Sequence, residues 1–402
     1  MPLFSIIIPT RNRGRLLKNA IQSVLDQTFS DFELVISDNA SEDNTEQLAR
    51  SFTDKRVKYF KTGRYLLAHN NSENAYRNST GDYVLLIGDD DVLIPQALEQ
   101  ISKVIRKNNA KLVLIGLVTY YDSTFEDPMF RDVISACSFS GKVLAVNSEE
   151  VLRAYFNLEQ ARGYPPHASC IAISRDITSE ISRKCGAFFL PPYAEVVFMP
   201  IAALKAGKVY VIDKPLILIG RGSNSQVVLE RANPSQMWQH IELEFKHVMF
   251  KGKYTFNAHV ESLLRAKSYY LDKFRNYEID IVKYSCLYFD NIIDVGRKGA
   301  GYDENLAEFY KGVAKLPVTA VMRIRMHSAL YMAKKFIKVL LKVKMFRKIK
   351  ILTRFKRHSG YAVTASSIGV NNIMECRYKL SSIAKKLNET PENWEPSIEA
   401  RY

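Results

Sequence analysis

The chain has 402 residues, 47% of them hydrophobic, and a formal net charge of +15, which suits one sizeable α/β domain with a packed core plus a second, basic element. The five cysteines are scattered and odd in number, and no apolar run approaches the ~18 residues of a spanning helix. Disulfide scaffolds, zinc modules and integral membrane proteins are therefore excluded. Because a core strand begins within four residues of the start, we also expect no cleaved leader, and hence a cytoplasmic protein, at most peripheral on the inner face of the membrane.

The first hundred residues alternate between strand-like and helix-like patterns. Apolar runs predict strands at 5–9, 32–38, 57–60 and 83–87, and apolar residues at helical spacing predict helices at 16–27, 41–52 and 72–79. Such alternation predicts a largely parallel sheet covered by helices. Ligands bind beyond the carboxyl ends of such strands. We therefore expect 9–13, Asp38 with Asn39, and 89–91 to meet at one crevice.

Three consecutive acids follow the fourth strand, in the sequence Gly88-Asp89-Asp90-Asp91. Three adjacent carboxylates repel one another and resist desolvation, so they persist most easily where a divalent cation or an amide-rich ligand neutralises them. The alternative is an acidic turn that caps the next helix, with Pro95 in its first turn. Taken alone, the triplet does not decide between the two.

Several separated motifs together resemble the family 2 glycosyltransferases. They are 5–13 with Leu16-Leu17, then 20–28, 32–45, 75–78, and 81–83 leading into the acids. The resemblance covers residues 1 to about 100 strongly and extends to about 225. It implies a GT-A (Rossmann-like) fold, a mostly parallel sheet sandwiched by helices. It also implies a hexosyltransferase-like enzyme that is metal-dependent and inverting. Such an enzyme moves a sugar from a nucleoside-diphosphate donor to a hydroxyl of a glycan or lipid-linked acceptor, in cell-surface polysaccharide synthesis. Among the possible donors, a UDP-sugar is the one expected first.

The same resemblance assigns roles to residues of this chain. Asp38 would accept a hydrogen bond from the nucleobase, and Arg77 would face the base or the phosphates. The residues that would line the base and ribose pocket are Pro9, Thr10, Arg11 and Arg13. Asp89 or Asp90 would contact the ribose, while Asp91, with Asp89, would hold Mn²⁺ or Mg²⁺ at a DXD-like site. Many family members carry Asp where this chain has Gly88, so the division of labour among the acids stays open.

Three further residues are candidates nearer the middle of the chain. Glu195 is the candidate general base, although a Glu in a first helical turn also complements the helix dipole. Arg221 could clamp a diphosphate in a bidentate way, or could belong to an ordinary Gly- and Ser-rich turn at 220–225. His167 is an acceptor-site candidate whose alternative is a structural histidine.

After about residue 230 the pattern becomes helical and basic, so we predict a catalytic domain over 1–230 and an all-α region over 231–402, with a linker at 296–301. Within 320–358, one helix side carries Met322, Met326, Leu330, Ala333, Ile337 and Leu340, and lysines cluster mainly on another. This pattern favours contact with an anionic membrane surface. The alternative is a helix that docks its apolar side on the catalytic domain. No nucleic-acid partner is expected, because clear aromatic stacking platforms are missing.

Two rival functions remain on sequence grounds. A catalytically weak nucleotide-sugar-binding protein would explain Gly88 and the single acid at position 195. A nucleotidyltransferase-type enzyme would also place acids on a metal, but it needs a Gly-rich, basic N-terminal loop to cradle a triphosphate, which this chain lacks.

Overall fold

The structure is a computed structural model. It describes residues 1–125, 128–137, 139–159, 167–223, 244–295, 302–342, 360–364, 370, 372–379 and 395–396.

Strands and helices alternate through the first half of the chain, and helices dominate the second. The strands are β1 (Phe4–Thr10), β2 (Phe32–Asp38), β3 (Val57–Lys61), β4 (Tyr83–Leu86), β5 (Val92–Leu93), β6 (Leu112–Tyr121), β7 (Val133–Cys137), β8 (Val143–Asn147), β9 (Ile171–Ser174), β10 (Lys208–Arg221), β11 (Gly360–Thr364) and β12 (Glu395–Pro396). The helices are α1 (Gly14–Leu25), α2 (Thr45–Arg50), α3 (Ala68–Arg77), α4 (Ala97–Asn108), α5 (Ser148–Phe156), α6 (Arg175–Cys185), α7 (Ala194–Ala206), α8 (Thr255–Tyr269), α9 (Leu271–Phe274), α10 (Ile281–Val295), α11 (Tyr302–Val313) and α12 (Val318–Lys342).

The predicted helix-covered α/β sheet is confirmed. Strands β3, β2, β1 and β4 lie side by side and pair in parallel, as the alternation of the sequence predicts. Beyond β4 the sheet is mixed: β9 pairs antiparallel with both β4 and β6, and β10 runs parallel to β6. Two reversals through β9 leave β4, β6 and β10 pointing the same way. The carboxyl ends of β1, β2, β4 and β10 therefore share one edge of the sheet.

Helices cover both faces of the sheet, because its central strands are apolar on both sides. On β1, Ile6 and Ile8 pack toward α1 and α4, whereas Ile7 packs toward α3, α6 and α7. This alternation buries β1 and β2 almost completely. The sheet is thus a rigid base for whatever its carboxyl edge carries.

At the opposite, amino edge of the sheet, Glu33 is buried and joins several neighbours. Its carboxylate accepts hydrogen bonds from Ser5 Oγ at 2.6 Å, from Lys58 Nζ at 2.5 Å and from the backbone and hydroxyl of Thr80. Burial alone would raise the pKa of Glu33, but these bonds outweigh it and lower the pKa to about 2. The ionised form of Glu33 therefore stabilises the fold.

Replacement of Glu33 by Gln should lower the free energy of unfolding at pH 7 by about 2 kcal/mol, because Gln cannot accept all of these bonds. Because the pKa of Glu33 is lower in the folded state, its carboxylate stabilises the fold fully at pH values above the unfolded pKa of 4.5. This stabilisation is lost as the pH falls toward 2. Urea unfolding of the wild type and E33Q should therefore converge between pH 4.5 and 2. The control is E149Q, at a Glu whose side chain is 71% exposed, and this variant should change little. A constant difference at all pH values would contradict this account.

The region after residue 230 is helical, as predicted, with one addition. Helices α8, α10, α11 and α12 surround an aromatic core that includes Phe250, Tyr284, Tyr288 and Phe309. Strand β11, however, pairs antiparallel with β7, so the described C-terminal part of the chain also contributes to the sheet. This pairing joins residues more than two hundred positions apart, so no local sequence pattern predicts it. The domain boundary at 230 remains a prediction, since residues 224–243 lie outside the described residues.

A short helix over 373–379 ties the C-terminal part of the chain to the sheet. Arg377 is buried and donates to the carbonyls of Leu93 and Ser23 and to Asp26 Oδ2, at 2.6, 3.1 and 2.9 Å. Leu93 follows the acidic triplet by two residues. The C-terminal segment therefore supports the turn that carries the acids.

Among the described helices, none combines the length and the apolar character needed to cross a bilayer. Helix α12 is long enough but too rich in Lys and Arg.

Candidate active site

The three predicted groups of polar residues meet at the carboxyl edge of the sheet. Thr10 and Asp38 are register partners at the ends of β1 and β2, and Thr10 Oγ1 donates to Asp89 Oδ2 at 2.7 Å. Asn39 N also donates to the Thr10 carbonyl at 2.9 Å. Pro9 precedes this junction within β1. The shared crevice expected from the strand order is thus present, with Thr10 as its link.

Asp89 is held by the first strand and the loop after it. Besides Thr10, Arg13 Nη1 contacts Asp89 Oδ1 at 2.7 Å, and the carboxylate is 5% exposed. Burial and the neighbouring Asp90 raise the pKa of Asp89 to about 6, although Arg13 opposes the shift. Burial also disfavours the charged Arg13, but Asp89 and Asp90 outweigh it and raise the Arg13 pKa. Both Asp89 oxygens are therefore engaged by protein groups.

Asp91 is enclosed and fully bonded. Its Oδ2 accepts from Ser169 Oγ at 2.6 Å and from Gly88 N at 2.9 Å, and its Oδ1 accepts from Gly220 N at 3.2 Å. Asp91 is 1% exposed. This side chain ties the acidic turn to β10 and to the segment before β9. Protein groups thus engage both Asp91 and Asp89, and their assignment as metal ligands stays a prediction.

Asp90 is the accessible acid of the triplet. Its side chain is 19% exposed, and its only ion pair among the described residues is with Arg13, at 3.2 Å. Burial and the adjacent Asp91 raise the pKa of Asp90 to about 6, against the effects of Arg13 and Arg221. Asp90 is therefore the carboxylate best placed to contact a ligand.

Two glycines allow the acids to fold back in this way. A Cβ on Gly88 would lie 2.8 Å from Asp90 Oδ1 and 2.9 Å from Asp91 Oδ2. A Cβ on Gly220 would lie 2.1 Å from the Asp90 carbonyl oxygen. The departure at Gly88 from the common family pattern thus has a steric reason in this chain: an Asp there would displace the other two acids.

Arg221 and His167 both lie near the acids. Arg221 ends β10 next to Gly220 and acts electrostatically on Asp90, Asp91 and His167. His167 Nδ1 accepts from Ser169 N at 3.3 Å, and burial, with Arg221 nearby, lowers the pKa of His167 to about 3. The neutral imidazole thus orders the segment that carries Ser169. This favours the structural reading of His167 over a contact with an acceptor.

Asp38 is also enclosed by protein groups. It is 0% exposed and accepts hydrogen bonds from Ser41 N at 2.9 Å and from the Tyr59 hydroxyl. The contact of Asp38 with a nucleobase stays a prediction. Arg11 is half-buried at this end of the crevice and stacks over the Tyr65 ring at 4.3 Å.

Arg77 does not reach the crevice. It ends α3, pairs with Glu73 at 2.9 Å, and is 64% exposed. Ser79 and Gly81, which follow it, contact Arg175 and Ser5 at the amino edge of the sheet. The helix runs back across the sheet over about 15 Å, so Arg77 lies at the wrong end. Its role at the base or phosphates stays a prediction that this position does not favour.

Glu195 lies at the same edge as the acids. It occupies the first turn of α7, and α7 leads through Gly207 directly into β10. Since β10 begins at the amino edge, the start of α7 must lie at the carboxyl edge. Burial raises the pKa of Glu195, against a hydrogen bond from its own backbone N–H. A carboxylate in such a state suits proton transfer.

The described residues do not enclose a metal ion by themselves, since no three His, Cys, Asp or Glu side chains among them cluster suitably. Mg²⁺ and related ions bound to phosphates, however, often use only one or two carboxylates and complete their shell with phosphate oxygens and water. Asp90 supplies one such oxygen ligand at an accessible edge. The site therefore fits a cation that arrives with a diphosphate.

The fold and the site together define an α/β domain with an acidic, cation-compatible ligand edge. Residues 5–180 match the model of Glycosyl transferase family 2. This segment, a little under half of the chain, is therefore similar to that family.

Relatives with assigned names support the same family. One is a GalNAc(5)-diNAcBac-PP-undecaprenol beta-1,3-glucosyltransferase of Campylobacter jejuni, 39% identical over 24% of this chain and 33% of the relative. Another is the UDP-Glc:alpha-D-GlcNAc-diphosphoundecaprenol beta-1,3-glucosyltransferase WfgD of Escherichia coli, 33% identical over 27% and 42%. The match thus spans well under half of each relative. The crystal structure of S. aureus TarS with UDP-GlcNAc covers 82% of this chain and 92% of that chain, with a TM-score of 0.47 and 15% identity, too loose a similarity to carry an argument here.

Sequence reasoning missed Ser169, Gly220 and Tyr65. Ser169 and Gly220 lie 78 and 129 positions from the Asp91 that they bind. Tyr65 forms the aromatic surface beside Arg11. A small residue or a lone tyrosine carries no local signal of such contacts.

Proposed function

We propose that this protein is a glycosyltransferase that moves a sugar from a UDP-sugar to a hydroxyl of a lipid-linked glycan, with inversion at the anomeric carbon. The observation that carries the proposal is the state of the acidic turn. Asp89 and Asp91 are locked by protein contacts, while Asp90 is left accessible between Arg13 and Arg221. The match of residues 5–180 to the family model supports the reaction class.

Asp90 would hold a Mn²⁺ or Mg²⁺ ion against the diphosphate, and the ion would stabilise the charge that develops on the leaving group. Arg221, whose guanidinium lies near the acids, would contact a phosphate in a charge-assisted way. Arg13 would keep Asp89 and Asp90 in place and add positive charge at the same edge. Arg11 and Tyr65 would offer the nucleobase a stacking surface.

Glu195 would take the proton from the acceptor hydroxyl as it attacks. Its raised pKa makes it a stronger base than an exposed Glu. A single base opposite a stabilised leaving group suits one in-line displacement, and hence inversion.

The proposed partners follow from the relatives' names. Both are glucosyltransferases whose acceptors are linked through diphosphate to undecaprenol, and the name of WfgD specifies UDP-Glc. We therefore propose a UDP-sugar donor and a polyprenyl-diphosphate-linked glycan acceptor, in cell-surface polysaccharide synthesis at the inner face of the membrane.

A donor panel tests this proposal. The purified chain is mixed with Mn²⁺ and, in turn, UDP-glucose, UDP-GlcNAc, GDP-mannose or a nucleoside triphosphate with a sugar phosphate. We expect a UDP-sugar to raise the melting temperature most, and slow release of UDP that EDTA stops. Pyrophosphate release from the triphosphate would favour the nucleotidyltransferase rival. Binding of a UDP-sugar with no turnover on any polyprenyl-linked acceptor would favour the binding-protein rival.

A further inference from the structure

Helix α12 exposes a long apolar surface. Val318, Met322, Met326, Leu330, Phe336 and Ile337, here called the apolar stripe, are 54–75% exposed. At about 100° per residue they occupy roughly a third of the helix circumference. Isolated exposed hydrophobic residues are ordinary, but six along one side of a helix indicate a contact surface.

The opposite side of α12 is already docked on the protein. Ile324 is buried in the C-terminal aromatic core, His327 Nε2 lies 2.8 Å from Asp290 Oδ1, and the Tyr331 hydroxyl donates to Asp294 Oδ1 at 2.8 Å. Lys335 also pairs with Asp294. The helix is therefore held with the apolar stripe facing outward. The alternative raised by the sequence, a helix that docks its apolar side on the catalytic domain, does not occur in the structure.

Basic side chains border the stripe. Arg323 and Lys334 flank one side of it, Arg325 lies on the other, and all three are exposed. The sequence contains no acidic residue between Glu308 and Glu375. Two copies of α12 packed stripe to stripe would bring these cations together without compensation, so charge disfavours a second copy as the occupant.

We propose that the apolar stripe lies on an anionic lipid bilayer, with α12 parallel to the surface and its arginines and lysines at the headgroups. This inference rests on the proposed function, because a polyprenyl-linked acceptor is reached only at a bilayer. The two proposals can nevertheless fail separately, because vesicle binding can be measured without sugar transfer and donor turnover can be measured without vesicles.

Co-sedimentation with vesicles tests the proposal in the full chain. Wild-type protein should bind vesicles that contain phosphatidylglycerol, bind phosphatidylcholine vesicles weakly, and be released by high salt. The double variant M326S/L330S should bind at least about ten-fold more weakly, because two buried apolar side chains are lost. The control L271S changes a residue that is 61% exposed elsewhere and should bind like the wild type.

A second pair of variants tests the charge. R323Q/K334Q should weaken binding by about ten-fold or more, since each basic side chain near the surface contributes about 1 kcal/mol. The control K103Q removes a similarly exposed lysine on α4 and should have no effect. Equal binding by the wild type and both double variants, or no binding by the wild type, would overturn the proposal. An oligomer that M326S/L330S disperses would instead identify a second copy as the occupant.

Discussion

The D90N variant should lose sugar transfer by about 10³-fold or more while its thermal stability stays unchanged. In the proposed mechanism, Asp90 is the protein's ligand to the cation that stabilises the leaving group, and the loss of such stabilisation costs this order of rate. Asp90 makes a single ion pair among the described residues, and its pKa is raised to about 6, so its charge adds little to folding. Transfer rate and melting temperature, measured on one preparation, test both parts.

The contrast with Asp91 makes this experiment decisive. In D91N, an amide NH₂ must face at least one of the donors Gly88 N, Ser169 Oγ or Gly220 N. A buried mismatch of this kind costs about 1–3 kcal/mol, so D91N should lose stability as well as activity. D176N, at an exposed surface pair with Lys111, is the control and should keep both. A fully active D90N beside a stable, inactive D91N would assign the metal role to Asp91 instead of Asp90.

The second large effect is expected at Glu195. E195Q keeps the shape of the side chain but cannot accept a proton, so kcat should fall by about 10²–10⁴-fold with little change in donor KM. The control is E150Q, at an exposed Glu in the first turn of α5. It removes a negative charge from a helix N-terminus, as E195Q does, but not the proposed base, so it should retain activity. Loss of activity in both variants would indicate a structural effect.

The pH dependence separates a base from a structural carboxylate. Burial raises the pKa of Glu195, so the wild-type rate should fall as the pH drops through that pKa and the base becomes protonated. In E195Q the part of the acid limb that belongs to Glu195 should be absent, while protonation of Asp90, whose pKa is raised to about 6, still lowers the rate. A pH profile in E195Q identical in shape to that of the wild type, or undiminished transfer, would place the base on another residue.

Much of the fold could be predicted because its signals are local. The apolar runs at 5–9 and 32–38 are buried strands as predicted, since fully covered parallel strands must be apolar on both faces. Once those strands are parallel, their carboxyl ends share an edge, which brings Thr10, Asp38 and the acidic turn together.

The role of each acid could not be predicted from the chain order. Asp89, Asp90 and Asp91 are identical in type and adjacent, and they differ only in what surrounds them. Thr10 and Arg13 hold Asp89, Ser169 and Gly220 hold Asp91, and Asp90 is left accessible. The position of Arg77 could not be predicted for a related reason: the direction of α3, which no local pattern records, carries it to the opposite edge.

The sequence by itself determined the helix-covered sheet, the place of the acids at its edge, and the amphipathic, basic character of α12. Hydrophobic periodicity and strand alternation are short-range properties, so a linear chain records them directly. Only the tertiary structure decided which acid is open, that Asp38 is enclosed, and that the apolar stripe faces outward. Each of these depends on contacts between residues far apart in sequence, and accessibility is a property of the packed molecule.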